Sequence, residues 1–157
     1  MIPLITRPMA QHYVPACTAL LNHTIALGGT TAYEAPYTET GFSDHYLHEK
    51  EVIVVALDGD RLVGFQGTFL DGAGTLSIGS FADQRDPVKG VGRALFAKTC
   101  ELARAQGFHT ILAKITEDNT PGLGFYSAMG FKDWKTIPND AMRAGKPIAR
   151  VITRFEL

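Results

Sequence analysis

The sequence predicts a single α/β domain over residues 1–157, in which helices flank a mixed, mostly antiparallel sheet. Three observations support this fold class: the apolar content, the alternation of extended and helical segments, and the absence of repeats or linker-like stretches. With 157 residues, 45% of them hydrophobic and 20% charged, the chain can bury one substantial core and differs from disordered proteins. Its segments follow the order β-α-(α)-β-β-β-α-β-α-β-β, which is typical of a mixed sheet covered by helices.

The first half of the chain predicts a long helix, a short helix and a β-hairpin. Apolar residues at three- and four-residue spacing predict the long helix, which has Pro15 in its first turn and ends at Gly28-Gly29. The tight turn Asp58-Gly59-Asp60 joins two extended runs and so predicts the hairpin. The predicted elements are a strand at 2–6, helices at 11–27 and 38–49, an extended stretch at 30–33, and strands at 52–57, 62–70 and 75–82.

The second half alternates helices and strands. The helix at 90–106 is amphipathic, because apolar residues fill one arc of the helical wheel and charged residues oppose them. Gly107 ends this helix and Gly130 ends the next one. The predicted elements are helices at 90–106 and 119–129, and strands at 109–115, 131–135 and 147–155. Residues 137–146 have the composition of a flexible loop and are expected to border the substrate entrance.

Charge and cysteine usage exclude several classes of partner. Fifteen Lys and Arg against sixteen Asp and Glu give a net charge of −1, which argues against nucleic acid or an anionic membrane as a partner. Cys17 and Cys100 lie far apart and form no CxxC pair, so a reducing compartment is expected. The start of the chain lacks a signal-peptide pattern, and the longest apolar run, 52–57, is too short to cross a bilayer. We therefore expect a soluble, cytoplasmic protein.

The most informative segment is the glycine-containing loop before the helix at 90–106. Gly90-Val91-Gly92 opens that helix, and glycine allows both a sharp turn and a close approach of a ligand to the backbone. The first N–H groups of a helix bind phosphate or pyrophosphate well, and Lys89 and Arg93 add positive charge. The sequence has no Walker A loop, and Leu95 stands where a dinucleotide fingerprint needs glycine. From these residues alone, a purely structural turn and a phosphate site are both open.

Two motifs resemble those of the GCN5-related N-acetyltransferase (GNAT) family. The loop and helix start resemble motif A, Arg/Gln-x-x-Gly-x-Gly/Ala, whose amides bind the pyrophosphate of acetyl-CoA in that family. Asn119–Phe131 resembles motif B, N-x(6)-Y-x(3)-G-F. With the hairpin and the first helix, the resemblance covers nearly the whole chain. It departs at Pro87, which stands at the Arg/Gln position and offers no donor, so Arg85 and Lys89 are the candidates to replace that contact.

The resemblance implies a GNAT-like fold with acetyl-CoA as co-substrate. In that family the strand before motif A separates from its neighbour and holds the pantetheine arm, while the helix start holds the pyrophosphate. The cofactor-binding residues implied here are Phe81, Ala82, Asp83, Lys89, Gly90, Val91, Gly92, Arg93, Ala94 and Asn119. Asn119 has a second interpretation, since asparagine before a helix is also a common N-cap.

Tyr126 is the residue that the resemblance places near the sulfur of CoA, where it would act as the general acid. A phenol with an ordinary pKa of about 10 stays protonated at neutral pH and can donate its proton to a thiolate. Without the motif, the same position is typical of an aromatic residue at the edge of the core, beside Phe125 and Met129.

A general base for the acceptor amine is harder to identify, because the strand before motif A carries no carboxylate. Thr30–Pro36 loosely resembles the substrate loop of phosphinothricin-type and amino-acid N-acetyltransferases, which implies that Glu34 contacts the substrate; the alternative is a solvated loop carboxylate. The other candidates are Glu39, His45 and Glu117. A water chain without any single base is a further alternative.

Histidine and serine patterns argue against two further chemistries. The i, i+3 pair His45 and His48, with Asp44 and Glu49 beside it, is the one metal-like spacing, and we predict no metal site there. A GxSxG elbow is absent, which argues against a serine hydrolase.

We predict an acetyl-CoA-dependent N-acetyltransferase that moves an acetyl group to a primary amine of a small molecule by direct transfer. Tyr126 and Glu34 are its predicted catalytic residues. The alternative is a non-catalytic acyl-CoA-binding or sensing module with the same fold. The resemblance also implies that two copies can pair through their terminal strands as a homodimer.

Overall fold

The computed structural model describes residues 3–47 and 51–157 and contains one seven-stranded sheet with helices on both faces. The strands are β1 (Ile5–Pro8), β2 (Ile53–Asp58), β3 (Arg61–Leu70), β4 (Thr75–Ala82), β5 (Thr110–Thr116), β6 (Lys132–Arg143) and β7 (Lys146–Glu156). The helices are α1 (Val14–Leu27), α2 (Glu39–Tyr46), α3 (Val91–Ala105) and α4 (Thr120–Met129). The strand order is β1-β2-β3-β4-β5-β7-β6, with β4 and β5 parallel and the other neighbours antiparallel. The predicted mixed, mostly antiparallel sheet is confirmed.

Most predicted elements agree with the structure to within a few residues, and two early segments differ. The first strand lies at Ile5–Pro8 rather than at 2–6, where it pairs with β2. Residues 30–33 form no strand, because the chain between α1 and α2 follows an irregular path. The helix predicted at 38–49 is observed as α2, which Thr38 caps by accepting the amide N–H of the residue three positions on. His48 and Glu49, and with them the pair formed by His45 and His48, lie outside the described residues.

The largest correction concerns residues 137–146, which form a bulged hairpin rather than a flexible loop. They extend β6 and begin β7, and the register shifts between Ile137 and Ala141 to absorb two extra residues. Pro138 lies inside this bulge, where its missing N–H interrupts no ladder bond. Ala144-Gly145 makes the turn, with φ angles of 50° and 77°. Bulge and turn use the same residue types as a loop, which explains the wrong prediction.

Each face of the sheet carries its own hydrophobic core. α3 and α4 cover one face, where the buried side chains include Val63, Leu76, Ile78, Leu95, Phe96, Ile111, Ala113, Ile115 and Phe131. α1 and α2 cover the other face, where they include Val14, Leu20, Leu21, Phe42, Tyr46, Val55 and Phe65. Cys17 belongs to the second core and Cys100 to the first, so the sheet separates the two free thiols. Within the described residues, no helix combines the length and apolar character that crossing a membrane requires.

β4 and β5 pair only over the first half of β4. The parallel register joins Thr75–Ile78 to Thr110–Ala113 and then stops. Beyond it, β4 stays paired with β3 through Gly79–Ala82, and β5 stays paired with β7 through Lys114–Thr116. A gap therefore opens in the middle of the sheet and connects its two faces.

Candidate active site

A cleft of about 770 Å³ occupies the gap between β4 and β5. It is bordered mainly by the ends of β4 and β5, the starts of α3 and α4, the segment between α1 and α2, and Arg150 of β7. Its volume lies in the range of small-molecule sites in proteins. The lining includes Thr30, Tyr33, Phe69, Ser80, Phe81, Ala82, Gly90, Gly92, Arg93, Lys114, Asn119, Phe125, Tyr126 and Arg150.

The free edge of β4 presents backbone amides to the cleft. The Asp83 N–H donates to the Val63 carbonyl at 2.9 Å, and the β3–β4 register continues from there without a shift. Because alternate amides of a strand point to opposite neighbours, the amide of Phe81 faces β3, whereas those of Ser80 and Ala82 face the gap. Of the predicted residues on this strand, Ala82 therefore offers its main chain to the cleft and Phe81 its ring.

The start of α3 presents further amides beside this edge. Gly90 is the N-cap with a φ of 85°, a left-handed conformation that favours glycine, and no side chain among the described residues caps the helix. The amides of Val91, Gly92 and Arg93 are therefore available to an anion at the positive end of the helix dipole. The Ala94 amide is not, because it donates to the Gly90 carbonyl at 3.0 Å.

Gly92 also allows α4 to pack closely against α3. A Cβ at this position would lie 2.5 Å from the ring of Phe125, which itself lines the cleft. In the same way, a Cβ at Gly64 on β3 would lie 2.5 Å from the side chain of Val91, the first residue of α3. Backbone conformation thus favours glycine at position 90, and close packing favours it at position 92.

The loop between β4 and α3 contains a buried carboxylate. Asp83 is 6% exposed and accepts two hydrogen bonds from the Arg85 guanidinium, each at 3.0 Å, while Arg61 lies 3.7 Å away. The Arg85 hydrogen bond is the main reason that the pKa of Asp83 is lowered. Asp83 does not line the cleft, and Arg85 is committed to it. Of the two candidates for the contact missing at Pro87, Lys89 is exposed and makes no ion pair within the described residues.

The hydroxyl of Tyr126 belongs to a buried chain of hydrogen bonds. It lies 2.8 Å from the Ser80 Oγ, which also accepts the Gln66 Nε2–H at 2.8 Å. The Thr99 hydroxyl donates in turn to the Gln66 Oε1 at 2.6 Å. Burial raises the pKa of Tyr126 to about 12, against a smaller lowering by the Ser80 hydrogen bond, so the phenol is protonated at neutral pH. We call Thr99, Gln66, Ser80 and Tyr126 the Tyr126 chain.

Asn119 takes the capping role, one of the two predicted for it. Its Oδ1 accepts the Gly122 N–H at 2.9 Å at the start of α4, and its Nδ2 donates to the Thr30 carbonyl at 2.8 Å. The side chain therefore joins α4 to the segment that follows α1. A contact between Asn119 and a pantetheine arm, the other predicted role, stays a prediction.

An aromatic cluster forms the opposite wall, on the face of β4 that α1 and α2 cover. Tyr33 lines the cleft and stacks on Phe81 with an interplanar angle of 16°. Its hydroxyl lies 2.9 Å from His45 Nε2 and 3.0 Å from the Tyr46 hydroxyl, and Tyr37 stacks on His45. Burial raises the pKa of Tyr37 to about 12 and that of Tyr46 well above its ordinary value. We call Tyr33, Tyr37, His45 and Tyr46 the Tyr33 cluster; through it, His45 contacts a lining residue.

The acidic candidates for a general base lie outside the cleft lining. Glu34 is exposed, and its Oε1 accepts the Ala144 N–H of the β6–β7 turn at 3.2 Å. Glu117 accepts the Ala149 N–H at 3.4 Å, and Glu39 is exposed in the first turn of α2. The structure gives Glu34 a contact at the rim and does not bring it to Tyr126, so its catalytic role stays a prediction.

The described residues that line the cleft include cations but no acidic side chain. Arg93 lies at the start of α3, and Lys114 and Arg150 project from β5 and β7. The Lys114 ammonium lies 2.6 Å from Asp71, and the Arg150 guanidinium lies 3.7 Å from Asp140. Across residues 3–47 and 51–157, no group of His, Cys, Asp and Glu is arranged to hold a metal ion.

Sequence reasoning missed the residues that connect distant parts of the site. Arg143 beside the β6–β7 turn donates to the Thr31 carbonyl at 2.6 Å and pairs with Asp118 at 2.9 Å. This contact spans 112 positions of sequence, so no local pattern could indicate it. For Gln66 a signal existed, because it is the one amide side chain in the apolar run 62–70.

Comparison with known proteins identifies relatives of both sequence and fold. The sequence model of the acetyltransferase (GNAT) family matches residues 19–131. A solved structure of a protein proposed to be a phosphinothricin N-acetyltransferase is 25% identical, with a TM-score of 0.86 over 99% of each chain. A phosphinothricin acetyltransferase from Sinorhizobium meliloti, solved with acetyl-CoA, is 19% identical, with a TM-score of 0.84 over 100% of this chain and 89% of that one. A ribosomal-protein-alanine N-acetyltransferase from Brucella melitensis is 17% identical, with a TM-score of 0.88 over 98% and 99%. No protein of curated function matches the chain.

Proposed function

The chain belongs to the acetyltransferase (GNAT) family of acyltransferases, and from this premise we propose that it moves the acetyl group of acetyl-CoA directly to the primary amine of a small molecule. One observation carries the proposal: the free amides of β4, the amides at the start of α3 and the Tyr126 hydroxyl meet in one cleft. These features suit the three parts of acetyl-CoA that an enzyme must hold, namely the arm with its thioester, the pyrophosphate and the leaving sulfur.

The residues present fit acetyl-CoA in both charge and shape. The amides of Val91, Gly92 and Arg93 suit the pyrophosphate, and the Arg93 side chain adds positive charge. The amides of Ser80 and Ala82 suit the extended pantetheine arm, because an unpaired strand edge binds extended chains. The Sinorhizobium meliloti structure, which has the same fold, contains acetyl-CoA and supports this assignment.

The transfer requires one bond to form, one bond to break and a net movement of one proton from the amine to the sulfur. The amine nitrogen attacks the thioester carbonyl carbon, the C–S bond breaks, and its electron pair stays on the sulfur. The Tyr126 hydroxyl donates its proton to that sulfur, and the proton released by the amine replaces it through water in the cleft. The β4 amides that face the gap would stabilise the carbonyl oxygen as it gains negative charge. Because burial raises the pKa of Tyr126 to about 12, the phenol retains its proton until the sulfur requires it.

The lining supports a small acceptor that carries an anionic group besides its amine. The segment between α1 and α2 closes one side of the cleft and is bound by Arg143, which favours small molecules over an extended polymer. Lys114 and Arg150 line the cleft, while the carboxylates beside them, Asp71 and Asp140, lie outside the lining. Of the charged groups that an acceptor would meet in the cleft, the described ones are therefore cations, which favours a carboxylate over a polyamine.

A panel of matched amines tests the proposal. The purified chain is mixed with acetyl-CoA and with amino acids, the corresponding amino-acid amides that lack the carboxylate, or short diamines, and thiol release is measured. We expect turnover with the amino acids, and a kcat/KM about tenfold higher than with the amides, which is the effect of one charge-assisted contact. Faster turnover of the diamines would contradict an anionic acceptor. Absence of turnover with every amine, despite calorimetric binding of acetyl-CoA, would support the non-catalytic binding module.

Two further assignments belong to this proposal. We place the reaction in the cytoplasm, which suits two buried and unpaired cysteines. A homodimer through the terminal strands stays a prediction. Within the described residues β6 pairs only with β7, and its exposed side chains Trp134 and Met142 are 49% and 48% accessible.

A further inference from the structure

We propose that Gln66 and Ser80 are positioning residues that orient the Tyr126 hydroxyl so that its proton points into the cleft. The inference rests on the proposed role of Tyr126 as the proton donor to the leaving sulfur. It goes beyond that role by assigning a task to residues on β3 and β4, and through Thr99 to one on α3.

The first argument is that the Tyr126 chain places polar groups where apolar ones would suit the fold. Gln66 lies on the inner strand β3 and is 0% exposed, as is Thr99 on α3. A buried amide or hydroxyl costs stability unless it is hydrogen-bonded, and even then an apolar residue of similar volume is often equally good. Here both ends of the Gln66 amide are bonded, to Thr99 and to Ser80. Packing alone therefore does not explain why four polar side chains form a fully hydrogen-bonded chain that ends on a phenol in the cleft lining.

The second argument is that the donors follow one direction. The Thr99 hydroxyl donates to the Gln66 Oε1, which turns the Gln66 Nε2–H toward the Ser80 Oγ. Ser80 thus already accepts one hydrogen bond, and its own proton is free to point at the Tyr126 oxygen 2.8 Å away. When the Tyr126 oxygen accepts this hydrogen bond from Ser80, the Tyr126 O–H is free to donate in another direction. Because Tyr126 lines the cleft, that direction is into the cleft.

The third argument concerns the charge that develops during the transfer. As the Tyr126 O–H bond breaks and an S–H bond forms, the phenolic oxygen becomes negative. A Ser80 hydrogen bond to that oxygen stabilises it, and the same bond lowers the pKa of Tyr126 while burial raises it. The tyrosinate regains its proton from the amine through water, so the step needs no further reactant.

A double-mutant cycle in the full chain tests this arrangement. Ser80→Ala removes the hydrogen bond to Tyr126 and should lower kcat about tenfold, the effect of one such bond, while the KM for acetyl-CoA changes less than about threefold. Gln66→Glu replaces the N–H donor with an acceptor, so that the Ser80 hydroxyl donates to the new carboxylate instead of to Tyr126. This change should lower kcat further. Ser80→Thr restores the hydroxyl and should recover kcat to within about threefold of the original chain.

The Tyr126→Phe background supplies the decisive readout. If Ser80 acts through Tyr126, then Ser80→Ala adds no further loss of kcat once the phenol is gone. A full additional loss in that background would overturn the proposal and assign Ser80 a separate role. If Tyr126→Phe alone leaves kcat unchanged, the proposed function of Tyr126 fails instead, so the two failures are distinct.

Two controls separate positioning from stability. Thr153→Val removes another buried hydroxyl, which donates to the Ala113 carbonyl at 3.3 Å. Neither residue lines the cleft, so this variant should leave kcat unchanged. Thermal unfolding of each variant shows whether it folds. Should Gln66→Glu fail to fold, the Ser80 variants still decide the outcome, because Ser80 is only half-buried at the strand edge.

Discussion

The Tyr126 chain and the Tyr33 cluster lie on opposite faces of β4, and they differ in what holds them in place. All members of the Tyr126 chain belong to regular elements, so sheet and helix hydrogen bonds fix their backbones. Tyr33 and Tyr37 belong instead to the irregular segment between α1 and α2. Side chains hold that segment, since Asn22 bonds both the N–H and the carbonyl of Tyr37 at 2.8 Å. The proposed proton donor is therefore held by regular elements, whereas side chains of an irregular segment hold the wall that would meet the acceptor.

The two groups also influence each other through β4. Burial is the main cause that raises the pKa of Tyr46, Tyr33 comes next, and the phenol of Tyr126 on the other face contributes as well. Ionisation on one face therefore disfavours ionisation on the other. The raised pKa values of Tyr37, Tyr46 and Tyr126 keep these three phenols neutral at pH 7. Besides Arg93, the charged side chains that line the cleft are Lys114 and Arg150, each beside a carboxylate outside the lining.

Removing the hydroxyl of Tyr126 should have the largest effect. We expect Tyr126→Phe to lower kcat about 100-fold, the usual contribution of a general acid, because the leaving thiolate loses its proton donor. The dissociation constant of acetyl-CoA, measured by calorimetry, should change little. In the original chain, kcat should show no loss from ionisation of this phenol up to about pH 10, because burial raises the pKa of Tyr126 to about 12.

Tyr13 offers a matched control for this substitution. Its hydroxyl lies 3.5 Å from Arg7, and Tyr13 does not line the cleft. Tyr13→Phe should leave both kcat and KM unchanged. A Tyr126→Phe variant that retains the original kcat would contradict the assignment of the acid.

A substitution in the Tyr33 cluster should change the KM for the acceptor rather than kcat. Tyr33→Phe removes the hydroxyl that contacts His45 and Tyr46, and we expect about a tenfold rise in the KM for the acceptor. The KM for acetyl-CoA should stay within about twofold, because Tyr33 lies on the acceptor face of β4. Initial rates with each substrate varied in turn measure both constants. An effect on acetyl-CoA alone would remove the distinction between the two faces.

This contrast explains how much of the site could be predicted from the sequence. Tyr126, Gly90 and Gly92 lie in short motifs whose chemistry is local: a helix start, a left-handed φ and a helix-borne phenol. Their positions therefore follow once the elements are predicted. The gap beside β4 follows less directly, because it depends on where pairing between β4 and β5 stops.

The acceptor side could not be predicted, because tertiary contacts decide it. The loop that contains Glu34 predicts a contact with the substrate, which stays a prediction; in the structure its carboxylate bonds the Ala144 amide of a hairpin 110 residues away. The sequence predicts a flexible loop in place of that hairpin, because the bulge and the turn have loop-like composition. Ser80 lies within a correctly predicted strand, but only the packing of β3 and α4 gives its hydroxyl two partners.

The charge of the acceptor wall should have a moderate effect. Arg150→Gln should raise the KM about fivefold for amines that carry a carboxylate and leave neutral amines unaffected, since an exposed charge contact contributes about 1 kcal/mol. Arg154→Gln is the matched control, because it removes an arginine from the same strand outside the cleft lining. Equal losses for charged and neutral amines would contradict recognition of an anion by Arg150.

The smallest effect should come from removing the contact between Arg143 and the segment between α1 and α2. Arg143 donates to the Thr31 carbonyl and to Asp118, and its hydrogen bond is the main reason that the pKa of Asp118 is lowered. A carboxyl group whose pKa is lower in the folded than in the unfolded state stabilises the fold above its unfolded pKa, and this stabilisation is lost as the pH falls through the folded pKa. Arg143→Gln should therefore lower the free energy of unfolding by about 1 kcal/mol at pH 7, a modest figure because Asp118 is 40% exposed and solvent screens the pair. Urea unfolding should show that part of this difference disappears below about pH 4, where Asp118 becomes protonated. In an Asp118→Asn background that part should be absent at every pH. A difference that stays constant with pH would mean that the Thr31 carbonyl, rather than the ion pair, holds the segment.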